Sequence, residues 1–337
     1  MKVVVTGGGG FLGSAICRLL RARGDTVLSI ARTRHAALEP LGVLQAQVDI
    51  SVLEPLLQAS RGADAMIHVA ARAGAWGSWE DYHAANVTGT GNVLAACRQN
   101  RIPRLVYTST PSVVHAGGDL EGVDESIPYA TRFRAHYPHT KAIAEQRVLA
   151  ASDAQLSTVA LRPHLIWGPG DTQLLPRILA RARAGRLRFV GRSRKRIDAV
   201  YVDNAAQAHV DALDRLAPGA ACAGRAYFIS QGEPVYLDDM VNGMLQACGV
   251  APETRRVPYG VAYAAGAVLE AVYGVLRIAA EPPMTRFIAE QLATAHWYDI
   301  SAARRDLGYQ PTISTAEGLL RLAQWWRDTA AGAQLQP

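Results

Sequence analysis

The chain opens with the apolar run KVVVT (residues 2–6) and passes directly into 6-TGGGGFLGS-14, with a helix-forming segment following at once. Few folds accept a short strand, a glycine-rich turn and a helix in that order. Gly7, Gly10 and Gly13 have the spacing G-x-x-G-x-x-G. Lacking a Cβ, such residues let the backbone turn sharply and approach a pyrophosphate, which then rests on the amides opening the helix, those of Phe11, Leu12 and Gly13. The expectation is a dinucleotide-binding turn at the start of an α/β sheet.

The rest of the first half fits that start. TVLSIA (26–31), LQAQVDI (44–50), AMIHVAA (65–71), RLVYTST (104–110) and STVALRP (157–163) are strand candidates separated by helix-length segments such as 86–100. Strands rich in Val and Ile that alternate with helices indicate a doubly wound parallel sheet, the Rossmann arrangement. The pattern loosens beyond about residue 165, at the Pro- and Gly-rich joints 168-GPGD-171 and 281-EPP-283. Residues 1–165 are therefore assigned to the dinucleotide-binding domain, with 198–232 returning to it. Residues 166–197 and 233–330 are assigned to a smaller, mostly helical C-terminal substrate lobe.

Composition excludes several classes. Of 337 residues, 49% are hydrophobic and 19% charged, which predicts a packed core and no extensive disorder. A net charge of +6 is too mild to imply nucleic acid. Cys17, Cys97, Cys222 and Cys248 are widely spaced without C-x-x-C, which predicts reduced thiols, no metal site and a cytoplasmic protein. A strand beginning at residue 2 leaves no room for a signal peptide. The apolar stretch 260–280 contains Glu270 and Arg277, which argues against a membrane span. It reads as an amphipathic helix packed on the body, or as a contact for a lipid surface or an apolar ligand, so membrane contact is at most peripheral.

The end of the second strand selects the cofactor. NAD sites place an acid there for the ribose 2′-hydroxyl, whereas NADP sites substitute cations for the 2′-phosphate. The run 31-ARTRH-35 offers Arg32, with Arg34 beside it, and no acid between Asp25 and Glu39. NADP(H) is expected. Asp49 and Ile50, after the third strand, are assigned to the adenine side.

Only three lysines occur, and one of them stands in 137-YPHTK-141. On a helix, residues four apart share a face, so the Lys141 ammonium can sit beside the Tyr137 phenol and lower its pKa. Tyr137 is then a candidate general acid toward a carbonyl oxygen, with Lys141 also holding the nicotinamide ribose. A hydroxyl from 108-TSTPSVV-114 can polarise the same carbonyl. Thr110 is the first choice, with Ser109 and Ser112 as alternatives.

Taken together, Gly7, Gly10, Gly13, Tyr137 and Lys141 resemble the extended short-chain dehydrogenase/reductases, whose catalytic set is a Ser or Thr, a Tyr and a Lys, often with an Asn supporting a water relay. Asn86 in NVTGTGN is similar to that asparagine, although a helix N-cap also suits it. In 162-RPHLIWGPGD-171 the backbone after Pro163 resembles the part of the family that lies near the nicotinamide. Further likeness is carried by 201-YVDN-204 and 297-WYDISAARRDLGYQP-311. IHVAA (67–71), which contains Ala70, and YTST (107–110) resemble the 3β-hydroxysteroid dehydrogenase-like branch. Thr110 stands where many members have Ser.

That resemblance implies NADPH-dependent reduction of the 3-keto group of a long-chain 2-alkyl-3-oxo acid to the 3-hydroxy acid, within olefin biosynthesis. It also implies a homo-oligomer and assembly with other olefin-biosynthesis enzymes. The alternatives are a 3β-hydroxysteroid or sterol-4α-carboxylate 3-dehydrogenase, a nucleotide-sugar epimerase, and a non-catalytic NADPH-sensing scaffold. Segments 260–280 and 286–297 are rich in Ala, Val, Leu and aromatics, which suits an apolar substrate. Between Arg177 and Arg196 stand nine Arg or Lys and no acid. This run reads as a solvated basic face, or as a guide for a fatty carboxylate, an acidic partner or an anionic membrane.

Overall fold

The structure, a computed structural model, describes residues 1–334. Seven strands, numbered along the chain, make the central sheet: β1 Lys2–Thr6, β2 Thr26–Ala31, β3 Leu44–Gln47, β4 Ala65–His68, β5 Arg104–Thr108, β6 Ser157–Pro163 and β7 Arg225–Ile229. Their spatial order is β3-β2-β1-β4-β5-β6-β7, and every neighbouring pair is parallel. The order reverses between β1 and β4, and the crevice beyond the C-terminal ends at such a switch point is where doubly wound folds bind ligands.

Apolar residues dominate the central strands because helices cover both sheet faces. β4 and β6 are buried end to end. On one face Ile16, Leu20, Val210 and Leu213 of helices Phe11–Ala22 and Val202–Arg215 pack on Val3 and Val5. On the other, Leu56, Val93 and Val148 of helices Leu53–Ser60, Gly89–Gln99 and His136–Ala150 pack on Val4 and Met66. All four cysteines are buried and free.

The smaller lobe contains helices Leu174–Arg183, Leu237–Ala247, Tyr259–Val275 and Arg286–Ala293. It also holds a four-stranded sheet ordered Val235–Tyr236, Arg196–Ile197, His296–Tyr298, Leu120–Val123. Strands of two to four residues leave no alternation in the sequence, so this sheet was not legible there. Helix Tyr259–Val275 packs on helix Arg286–Ala293, as one reading of its sequence expected, but apolar residues also occupy its outer face. Its buried residues are Ala262 and Gly266, whereas Val268 and Val275 are 63% and 82% exposed. Gly266 lets the helix touch backbone, since a Cβ there would stand 2.7 Å from the Thr285 carbonyl carbon. No helix among the described residues is long and apolar enough to cross a membrane.

Candidate active site

The turn between β1 and helix Phe11–Ala22 forms one end of a cleft of about 1590 Å³ that continues into the smaller lobe. Gly7 has φ +71°, and a Cβ on it would stand 2.9 Å from the backbone of Ala70. On Gly13 a Cβ would stand 2.1 Å from the Gly7 carbonyl oxygen. Both positions therefore require glycine for close backbone packing. Gly10 caps the helix without a side-chain bond, and the Phe11, Leu12 and Gly13 amides have no acceptor among the described residues. Free amides at a helix N-terminus, reached over bare glycines, fit the pyrophosphate of a dinucleotide.

Around this cradle Arg32, Thr33, His35, Asp49 and Ile50 line the cleft, as do Ala70 and Pro163. Arg32 is exposed at the end of β2, where its guanidinium is free to grip an anion. Asp49 is held below the usual carboxylate range chiefly by the Ser51 amide and hydroxyl, with a smaller pull from Arg32. Arg34 is exposed but does not line the cleft.

Tyr137 and Lys141 lie in the first half of helix His136–Ala150, which packs on β6 and on the turn His83–Thr88. The Lys141 ammonium donates to the Thr108 carbonyl at 2.5 Å and lies 4.1 Å from the centroid of the Tyr107 ring. Burial lowers its pKa to about 7, against an opposing pull from Glu145 one turn along. Glu145 is itself bound by Arg162 of β6, Nη2 to Oε1 at 2.6 Å, and accepts from the Tyr129 hydroxyl at 2.6 Å. This buried pair fixes the helix to the sheet.

Sequence reasoning expected the Tyr137 pKa to fall, and the structure reverses that. Burial raises it to about 12, partly offset by the Thr110 hydroxyl. The Lys141 ammonium is directed at Thr108 and Tyr107, so its charge does not act on the phenol as the four-residue spacing suggested. The phenol here is a proton-carrying acid. Thr110 is the hydroxyl that meets it; its Oγ1 also accepts from the Ser112 amide at 3.3 Å. Ser109 Oγ is buried without a partner, and Ser112 Oγ accepts from Thr110 at 3.3 Å.

Asn86 does not cap a helix. It sits inside the π-helical turn His83–Thr88, a helix defect frequent at functional sites. Its side chain accepts from the Arg72 amide at 2.7 Å and donates to the Arg72 carbonyl and to Thr140 Oγ1, both at 3.0 Å. Thr140 Oγ1 in turn donates to the Tyr137 carbonyl at 3.0 Å. The asparagine thus braces the tyrosine's helix, and no hydrogen bond joins it to Lys141 among the described residues. Both Nδ2 protons are engaged, and Oδ1, which accepts one bond here, keeps a second lone pair.

Behind Asn86 lies a network the sequence did not reveal. The Thr6 hydroxyl meets His68 Nδ1 at 2.6 Å, His68 Nε2 meets Thr90 Oγ1 at 3.0 Å, and Thr90 Oγ1 donates to the Asn86 carbonyl at 2.6 Å. Because Thr90 spends its proton on Asn86, His68 donates through Nε2 and accepts through Nδ1. The chain of bonds joins the strand that carries the glycine turn to the helix that carries Tyr137.

The remainder of the cleft is mainly apolar. Val261, Ala265, Met240, Met284, Phe287 and Leu292 contribute to it from the smaller lobe. The basic run 177–196 divides: Lys195 pairs with Asp119 and Arg194 with Asp238 and Asp239 away from the cleft, whereas Arg177, Arg181, Arg186 and Arg188 line it.

A glycine cradle at the switch point, with a tyrosine and lysine on one helix and a threonine facing the tyrosine, defines an oxidoreductase of the extended short-chain dehydrogenase/reductase type. Residues 4–259 match the model of the 3-beta hydroxysteroid dehydrogenase/isomerase family, and the chain belongs to that family. It is 55% identical to the 2-alkyl-3-oxoalkanoate reductase of Stenotrophomonas maltophilia (strain K279a), over 96% of this chain and 98% of that one. Identity to the enzyme of that name from Shewanella oneidensis is 51%, covering 94% and 84%. Among solved structures it is similar to a UDP-glucose 4-epimerase of Thermus thermophilus in complex with NAD. There the TM-score is 0.74 at 25% identity, covering 97% and 99%.

Proposed function

We propose that the protein is an NADPH-dependent reductase of the 3-keto group of long-chain 2-alkyl-3-oxoalkanoates, acting reversibly in olefin biosynthesis. The observation that carries this reading is the opening of the Thr110–Tyr137 pair onto a mainly apolar chamber. Two bacterial relatives with that reductase name, at 55% and 51% identity, support it. An epimerase acting on a nucleotide sugar would need polar groups around the sugar ring, whereas Met240, Met284 and Phe287 suit an alkyl chain.

The roles of the chain's residues follow from their positions. The amides of Phe11, Leu12 and Gly13 hold the pyrophosphate, and Arg32 takes the 2′-phosphate. Bound NADPH supplies the hydride that adds to C3. Thr110 donates to the 3-oxo oxygen and holds it against Tyr137, which delivers the proton as the oxygen gains charge. Lys141 steadies the start of the helix on the Thr108 carbonyl, and the tyrosine regains its proton from solvent. Asn86 and Thr140 keep the phenol at its height over the cleft. Apolar walls exclude water from the reacting carbon.

Cofactor choice is testable at Arg32. Arg32→Asp is expected to raise the KM for NADP+ on the order of 100-fold, the worth of a bidentate charge-assisted pair, while the KM for NAD+ falls or holds. Steady-state kinetics with both cofactors reads this directly. Equal effects on both would remove Arg32 from the 2′-phosphate site. For the substrate, a long-chain 2-alkyl-3-hydroxyalkanoic acid with NADP+ should yield reduced cofactor. It should also yield the ketone left when the 3-oxo acid sheds CO2, identified by mass spectrometry. Absence of that ketone alongside oxidation of a 3β-hydroxysteroid would move the protein to the steroid reading.

A further inference from the structure

The cleft is apolar, yet helix Leu174–Arg183 turns two guanidiniums into it. Leu174, Arg177, Ile178 and Arg181 all line the cleft, at spacings of three and four that make one helix face. A cation among Leu, Ile and Met side chains is costly unless an anion meets it. Arg177 has one, since Nη1 and Nη2 bind Glu281 Oε1 and Oε2 at 2.9 and 3.0 Å. Arg188, further along, has Glu253 at 3.5 Å. Arg186 is exposed at the rim and solvated.

Arg181 is different. It is half-buried, and its one protein bond is from Nη2 to the Pro283 carbonyl at 2.5 Å. No carboxylate forms an ion pair with it among the described residues, so most of its five N–H groups have no protein partner, and the side chain lines the cleft. Burial, with Arg177 one turn away, disfavours its charge, and Glu281, already bound to Arg177, offsets this only in part. Arg181 lines the same cleft as Thr110 and Tyr137.

We propose that Arg181 is the anchor for the substrate carboxylate, gripping C1 of the 3-oxo acid while the 3-oxo oxygen lies between Thr110 and Tyr137. This rests on the acid reading of the substrate given above. Carboxylate and ketone are two carbons apart, so one fixed cation sets which carbonyl of a long chain meets the tyrosine, and the alkyl chains take the apolar walls. The remaining N–H groups of Arg181 are enough for a bidentate grip. The arrangement makes the enzyme selective for free acids over esters.

The test compares a 2-alkyl-3-hydroxyalkanoic acid with its methyl ester, each oxidised with NADP+, in wild type, Arg181→Met, Arg181→Lys and Arg186→Met. The readout is the ratio of kcat/KM for acid to that for ester, in which losses of folded enzyme cancel. Arg181→Met should lower this ratio on the order of 100-fold, mainly through the KM of the acid, as expected for a lost charge-assisted bond. Arg181→Lys should recover part of it, and Arg186→Met should leave it within threefold of wild type. A ratio unchanged by Arg181→Met, or lowered as much by Arg186→Met, would overturn the anchor while leaving the substrate reading in place. If wild type turns over neither acid nor ester, the substrate reading itself falls.

Discussion

Tyr137→Phe is expected to retain cofactor binding and to lose turnover by about 10²- to 10⁴-fold, the range for removing a positioned general acid. The substitution deletes one hydroxyl and leaves a ring of the same shape beside Thr110 at the cleft wall. Thr110 can still hold the carbonyl oxygen, but its proton is committed to Ser112 in the resting site and its hydroxyl is far too weak an acid to replace the phenol. The phenol with its raised pKa of about 12 stays protonated across the working range, which suits delivery of a proton in the reductive direction. Cofactor binding by nicotinamide fluorescence and turnover by absorbance separate the two effects. A variant that retains turnover within tenfold of wild type would show that the proton comes from elsewhere.

Acid is expected to unfold this protein steeply. His68, His164, His209 and His296 are buried as neutral rings, and burial is the largest cause in each case. His68 falls to about 3, His164 and His209 to about 4, and His296 lies well below its ordinary value. An unfolded histidine titrates near 6.5. These groups therefore favour the fold fully above about pH 6.5, and that contribution is lost as pH falls toward the folded values. Asp198 opposes them, because burial raises its carboxyl to about 6 and the folded state gains that proton first. Near pH 5 unfolding takes up about three net protons, which is a loss of about 4 kcal/mol per pH unit. Against a typical stability of about 5–15 kcal/mol, unfolding between about pH 5 and 4 follows. Urea titrations at pH 7, 6 and 5 check this, and an unfolding free energy constant over those three would contradict it.

The dinucleotide half was legible because its signals are local. Gly7 and Gly13 stand where any Cβ would strike backbone, and β1, β2, β5 and β6 are continuous apolar runs because both sheet faces are covered. The smaller lobe was harder to read, since its sheet is built of strands two to four residues long drawn from residues 120 to 298. Tyr137 and Lys141 were found from their spacing, yet spacing says nothing of direction, and the ammonium turns to the Thr108 carbonyl instead of the phenol. Asn86 was recognised by likeness, while its partners Arg72 and Thr140 could be known only in three dimensions. The basic run concealed its most informative member for a similar reason. Arg181 differs from Arg177 and Arg188 only in having no acid opposite, and Glu281 and Glu253 lie about a hundred and about sixty-five residues from their partners.

Reduction of a branched 3-oxo acid with NADPH is best tested by running the reaction backwards in competition. A long-chain 2-alkyl-3-hydroxyalkanoic acid and a 3β-hydroxysteroid would be offered together, with NADP+ and then with NAD+, and kcat/KM taken for each from product formation. The hydroxy acid is expected to be consumed with NADP+ at a kcat/KM at least about 100-fold above the steroid, with NAD+ serving poorly. Preferential oxidation of the steroid, or equal use of the two cofactors, would contradict it.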